Sequence, residues 1–124
     1  MDKFCVANIK GSDFKLTTAD NFIKRAIGLA WQKDVRDGAD GMLFAFKNKA
    51  RRPFWMFGMR FDLDILWIDN DEVVGFEKLV PHTGLVNQIR LHRSKEPVDK
   101  VLELKPGVID FLEIEIGDKI TIHL

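Results

Sequence analysis

The stretch FWMFGMRFDLDILWID, Phe54 to Asp69, places acidic groups inside an aromatic, strand-like segment. It contains two Trp, three Phe and two Met, together with three Asp and one Arg. Side chains of a strand alternate between its two faces, so Asp64 shares a face with Leu66 and Ile68. The other face of the same segment is also apolar, which predicts a central strand that is buried on both sides.

Asp64 needs a partner in such a strand, because an unpaired ionised carboxylate among apolar side chains costs several kcal/mol. Arg25 is the predicted partner, since it flanks the apolar face of a predicted helix and a guanidinium can hold a carboxylate in a two-pronged pair. Two interpretations stay open. The Arg25–Asp64 ion pair either fixes the helix to the sheet or faces a bound ligand.

Outward from this stretch, apolar alternation predicts several more short strands, at Phe4–Ile9, Phe14–Thr17, Met42–Phe46, Phe54–Met59, Val73–Leu79, Lys100–Leu104 and Ile120–Leu124. Helical periodicity predicts two short helices, one between Thr18 and Gly28 and one from Val108 to about Glu113. Crossover helices for a parallel sheet are missing. The pattern therefore predicts a mainly β, compact antiparallel β-sandwich or barrel-like fold, as a single domain over residues 1–124.

Eight strand residues with apolar neighbours at period two are expected to be largely buried: Phe44, Phe46, Phe54, Met56, Ile65, Trp67, Ile120 and Ile122. Cys5 is expected to be a small buried hydrophobe. Pro81–Pro97 is long and polar, so this segment is expected either to be the least ordered part of the chain or to form a lid.

The charge balance limits the classes of partner. Lys+Arg and Asp+Glu are both 19 among 124 residues, which disfavours a nucleic-acid or acidic-membrane binder. The N-terminus lacks the apolar run of a signal peptide and there is one cysteine, so a soluble, cytoplasmic protein is expected. His82, His92 and His123 lack metal-ligand spacing and no glycine-rich phosphate loop is present, so neither a metal nor a cofactor is expected.

A series of short motifs recurs in a specific order: Thr18, Arg25, Gly28 and Leu29; Asp40–Phe44 and Phe46; Phe54–Met56; Leu63–Ile65; Leu102–Leu104 and Gly107; Gly117 and Asp118. From about Thr18 to His123 the chain resembles the uncharacterised-domain family numbered 192, a domain of unknown function. The resemblance implies a compact β-sandwich or barrel-like fold with short helices, and it implies no established activity. It also places four residues at family motif positions: Arg25, Trp55, Asp64 and Glu103. Phe57, Gly58 and Met59 stand where the family often has Lys-Asn-Thr.

These observations favour a small non-enzymatic binding or accessory module, whose small polar or sugar-like ligand would bind around Arg25, Trp55, Asp64 and Glu103. One alternative is a hydrolase-type enzyme that uses Asp64 and Glu103 as an acid–base pair, which requires carboxyls about 5–10 Å apart across an open cleft. The other alternative is an interaction protein that acts through the basic loop Lys47–Arg52, beside the aromatic residues that follow it.

Overall fold

The computed structural model describes residues 4–19, 39–55, 62–80 and 91–123. These residues form nine strands and one short helix: β1 Phe4–Ile9, β2 Ser12–Ala19, β3 Gly41–Ala50, β4 Pro53–Trp55, β5 Leu63–Asp69, β6 Glu72–Leu79, β7 Leu91–Arg93, β8 Val98–Leu104, α1 Val108–Leu112 and β9 Ile120–His123. The prediction of a mainly β fold is confirmed.

Seven of the described strands form one sheet in the order β6-β5-β8-β3-β2-β1-β9, and β4 pairs with β7 in a separate two-stranded ribbon. The large sheet curls into a half-barrel, so that residues just before β9 meet the start of β6. Val73 N donates to Asp118 O at 2.9 Å, Gly117 N donates to Val73 O at 2.8 Å, and Ile120 N donates to Asp71 O at 2.9 Å.

Two tight turns set the register of the β1–β2 and β5–β6 hairpins. Ile9 pairs with Ser12 across Lys10–Gly11, where φ is 50° and 86°. Asp69 pairs with Glu72 across Asn70–Asp71, where φ is 51° and 63°. Positive φ at both central residues is what a two-residue hairpin turn requires, because its twist then matches that of the strands.

The central strand β5 and the second half of β8 are buried on both faces of the sheet. The helix face packs against α1 and carries side chains such as Leu43, Leu66, Ile68, Leu102 and Leu104, with Ile109 of α1 in the same cluster. The far face carries Met42, Phe44, Leu63, Ile65, Trp67 and Val101. Burial of both faces explains the nearly continuous apolar runs of β5 and β8.

Three details of the predicted fold are corrected. Strands β2 and β3 pair in parallel, from Leu16↔Gly41 to Ala19↔Phe44, although the other pairs of the sheet are antiparallel. Thr18 belongs to β2, which continues to Ala19. Lys47–Ala50 belongs to β3 and not to a loop. The second predicted helix is confirmed as α1, and the remainder of the first lies outside the described residues.

The burial predictions are mostly confirmed. Phe44, Ile65, Trp67, Ile120 and Cys5 are buried, and burial raises the pKa of the Cys5 thiol.

Two of the eight predicted core side chains, Phe46 and Ile122, are only partly buried. The Arg52 guanidinium lies over the Phe46 ring, 3.8 Å from its centroid, and so takes the place of an apolar cover. The side chain of Phe54 and the whole of Met56 lie outside the described part of the chain. So do residues 81–90 of the segment expected to be least ordered, while Leu91–Arg93 form β7.

Candidate functional site

Asp64 is buried on the helix face, where the chain itself provides its hydrogen-bond partners. Its Oδ2 accepts from Ile109 N at 2.8 Å and from Gly107 N at 3.1 Å, both at the start of α1. Burial raises the pKa of the carboxyl, and the hydrogen bonds from Ile109 and Gly107 act in the opposite direction. Asp64 therefore attaches α1 to the sheet by capping backbone donors that the helix leaves free.

Glu103 is buried on the far face without such partners. It pairs with Met42 of β3 on one side and with Ile65 of β5 on the other, so its side chain lies between two apolar neighbours. Only 1% of the residue is exposed, and neither carboxyl oxygen has a hydrogen-bond partner among the described residues. Burial raises the pKa of Glu103 to about 8. The group is therefore mostly protonated and neutral at pH 7.

The backbone around Glu103 is closely packed. A Cβ at Gly41 would overlap the carbonyl oxygen of Glu103, so glycine is the residue that lets β3 approach β8 at this point. Gly41 belongs to the Asp40–Phe44 motif, and Glu103 belongs to the Leu102–Leu104 motif. The two motifs meet in space across adjacent strands.

The sheet register separates the two carboxyls that the hydrolase alternative brings together. Asp64 pairs with Leu104, and Glu103 pairs with Ile65, which is one residue further along β5. Successive residues of a strand point to opposite faces, so Asp64 and Glu103 lie on opposite sides of the same sheet. The expectation of an acid–base pair across one open cleft is wrong for these two residues.

The other two predicted site residues cannot be placed beside them. Arg25 and the side chain of Trp55 lie outside the described residues, so the Arg25–Asp64 ion pair stays a prediction. Among the ranges that the structure describes, no group of three or more His, Cys, Asp or Glu side chains could hold a metal ion. Within the same ranges, no helix is long and apolar enough to cross a membrane.

The basic segment Lys47–Arg52 makes several contacts within the protein. Lys49 Nζ lies 2.9 Å from Asp69 Oδ1, and Arg51 Nε donates to Ser94 O at 2.9 Å. Arg52 covers Phe46 and donates to the backbone oxygen of Asn48. Three of the four basic side chains thus have intramolecular partners, which favours a structural role for the segment.

Gly75 was missed by the sequence interpretation, and Trp67 was predicted as a core residue. Trp67 Nε1 is buried and has no hydrogen-bond partner among the described residues, and Gly75 is its cross-strand partner. A glycine inside an apolar strand is the signal that could have identified the pair, because glycine weakens a strand and often marks a close approach. Glu103 lies two residues after Val101 in the same strand, so the two side chains are on the same face of the sheet.

Glu103 makes the stability of the protein depend on pH. Its folded-state pKa of about 8 is higher than the unfolded value of 4.5, so its contribution is most favourable below pH 4.5 and decreases as the pH rises toward 8. Glu103→Gln keeps the size and stays neutral. We expect this variant to match the wild type near pH 4.5 and to be roughly 3 kcal/mol more stable at pH 7.

Urea denaturation across this pH range measures the difference, and the same change at exposed Glu115 is the matched control. A difference between wild type and Glu103→Gln that stays constant with pH would show that Glu103 is ionised in the folded protein.

Asp64 should stabilise the protein through its acceptor oxygen. Asp64→Ala leaves two backbone N–H groups at the start of α1 without their partner, which is expected to lower the free energy of unfolding by about 1–3 kcal/mol. Asp64→Asn retains an acceptor of the same size and should lose less. Thermal and urea unfolding compare the two variants, and equal losses would contradict the capping role.

Proteins of known structure share this fold. In a crystal structure, a protein from Sinorhizobium meliloti 1021 described as a candidate transcription regulator superposes with a TM-score of 0.75 and 28% identity, covering 98% of this chain and 93% of that one. A protein of unknown function from Novosphingobium aromaticivorans DSM 12444 has the same fold, with a TM-score of 0.73 and 21% identity over 97% of this chain and 84% of that one.

Relatives in sequence include proteins of Thermococcus and Pyrococcus. A UPF0127 protein of Thermococcus kodakarensis is 32% identical over 108 residues, which is 86% of this chain and 64% of the relative. A UPF0127 protein of Pyrococcus furiosus is 29% identical over 116 residues, or 90% of each chain. The chain thus spans a little less than two thirds of the Thermococcus protein. Residues 5–122 match the sequence profile of DUF192, described as "Uncharacterized ACR". The chain belongs to this family, whose function is not established.

Proposed function

We propose that the protein is a small non-enzymatic binding module, and that Glu103 holds its small polar ligand on the far face of the sheet. The observation that carries the proposal is the carboxyl itself, which is buried with both oxygens unpartnered among the described residues. Buried polar groups in folded proteins almost always have hydrogen-bond partners, and exceptions point to a ligand, an ion or a functional role.

The contrast with Asp64 supports this assignment. Both carboxyls are buried in adjacent central strands, yet the chain gives Asp64 two backbone donors and gives Glu103 none among the described residues. A side chain that only stabilised the fold would contribute more if it were apolar at this position, between Met42 and Ile65. The cost of burying Glu103 is consistent with a group that is kept for binding.

The protonation state of Glu103 defines the chemistry of the ligand. A neutral carboxyl donates one O–H and accepts through its other oxygen, so it pairs with a group that offers an acceptor beside a donor. A carboxamide or a pair of sugar hydroxyls satisfies both requirements. An anionic ligand is disfavoured, because it would lie against an apolar surface and beside a carboxyl that ionises only near pH 8.

Access to Glu103 requires a local opening of the far face, because the carboxyl is buried in the closed protein. The ligand would then be enclosed when the face closes. Asp64 belongs to the fold in this proposal, on the opposite face. Arg25 and Trp55 stay in the proposed site on the strength of their motif positions alone.

The test is a metabolite screen by thermal shift at pH 6.5, with wild type, Glu103→Leu and the control Glu115→Gln. We expect neutral compounds with adjacent donor and acceptor groups to raise the melting temperature of the wild type and of Glu115→Gln, and not of Glu103→Leu. The shift should also decrease above pH 8, where the carboxyl ionises. The proposal would be contradicted if no neutral donor–acceptor compound raised the melting temperature of the wild type, or if the compounds stabilised Glu103→Leu equally.

A further inference from the structure

A groove of about 330 Å³ runs beside β6, the outer strand of the large sheet. Trp67, Gly75 and Phe76 line it from the sheet, and Ser94 lines it from the turn that follows β7. Its volume is within the range of small-molecule sites in proteins. Glu103 does not line this groove, so a ligand bound here is independent of the function proposed for that residue.

Trp67 provides an unused donor at this groove. The residue is 2% exposed, and its Nε1 has no hydrogen-bond partner among the described residues. A buried indole N–H normally has a partner, since leaving it unpaired costs a hydrogen bond to water that folding has removed. An acceptor atom from outside the chain would restore that bond.

Gly75 lies beside the indole, and an acceptor reaches the buried Nε1 only when the protein opens locally at this position. It pairs with Trp67 across the two strands, and a Cβ at this position would lie 3.3 Å from Cδ1 of the indole. Cδ1 is the ring carbon bonded to Nε1. The backbone of Gly75 does not have a positive φ, and the pairing of β5 with β6 shifts beside it, between Trp67 and Ile68. Glycine inside a strand marks a bulge or a close approach, and at Gly75 the close approach is to the indole.

The opposite wall of the groove is fixed in place. Ser94 donates through its backbone N to Arg52 O at 3.2 Å, its Oγ accepts from Arg52 N at 3.0 Å, and its carbonyl oxygen accepts from Arg51 Nε at 2.9 Å. A wall held by three hydrogen bonds keeps its shape without a ligand, which lowers the ordering cost of binding.

The charges around the groove select against anions. Among the described residues, its charged lining is Glu77, Glu96 and Lys95, which is one more negative than positive charge. Glu77 also lies 3.2 Å from Nδ1 of His92, so part of its charge is balanced when that histidine is protonated. Val74 and the indole of Trp67 give the groove apolar surface on the far face, which suits a flat ring.

We propose that this groove binds a small, neutral, planar molecule whose ring carbonyl accepts a hydrogen bond from Trp67 Nε1, and that Gly75 makes room for it. The carbonyl supplies the missing acceptor, and the ring lies against Val74, which packs on the same face as Trp67. Ser94 forms the rigid side of the site. The groove recognises a heterocyclic amide such as a pyridone or a nucleobase ring.

The experiment uses nitrogen-15-labelled full-length protein and follows the indole N–H resonances by NMR. The spectrum of Trp67→Phe identifies the Trp67 resonance. The probes are 2-pyridone, benzene as a ring of equal size without an acceptor, and benzoate as an anion. We expect 2-pyridone to give a saturable downfield shift of the Trp67 N–H, benzene to give no downfield shift, and benzoate to bind more weakly than 2-pyridone.

Gly75→Ala adds one methyl group beside the indole and should weaken 2-pyridone binding roughly tenfold, as expected for loss of one hydrogen bond. Val80→Ala, at an exposed position beyond β6, is the matched control and should leave binding unchanged. A Trp67 resonance that does not respond to 2-pyridone would overturn the proposal, and so would equal responses to 2-pyridone and benzene. The comparison of the three probes needs only the wild type, so it decides the question even if Gly75→Ala does not fold.

Discussion

Burial of β5 and β8 on both faces is the constraint on which the rest of the structure depends. A polar side chain of a central strand that is buried on both faces has no contact with solvent on either side. Every such side chain must therefore find partners within the protein or stay neutral. The two buried carboxyls of these strands show both outcomes, since Asp64 has partners in the chain and Glu103 is neutralised by its raised pKa.

The two outcomes distinguish the two faces of the sheet. On the helix face, the hydrogen bonds of Asp64 place the start of α1, and the segment after α1 then closes the half-barrel against Val73 at the start of β6. On the far face, Glu103 and Trp67 both carry buried polar atoms without partners among the described residues. The contacts on the helix face thus determine how the sheet closes. Both proposed ligand sites lie on the far face.

The sequence predicted the mainly β fold, because alternation is a local signal and the turns at Lys10–Gly11 and Asn70–Asp71 are short. It also predicted that Asp64 lies among apolar side chains. It did not show that β2 and β3 pair in parallel, since the pairing direction depends on contacts between distant segments. The partners of Asp64 were missed for the same reason. They are backbone groups 43 and 45 residues away, and backbone donors leave no signature in the sequence.

We expect Glu103 to be a neutral acid in the folded protein. A direct measurement is the pH titration of its side-chain carboxyl by carbon-13 NMR, with the resonance identified from its absence in Glu103→Gln. We expect the midpoint of this titration to lie near pH 8, because the carboxyl is desolvated between apolar neighbours. A midpoint near the ordinary value of 4.5 would contradict it, because the carboxyl would then be ionised in the folded protein and would need a cation or donors.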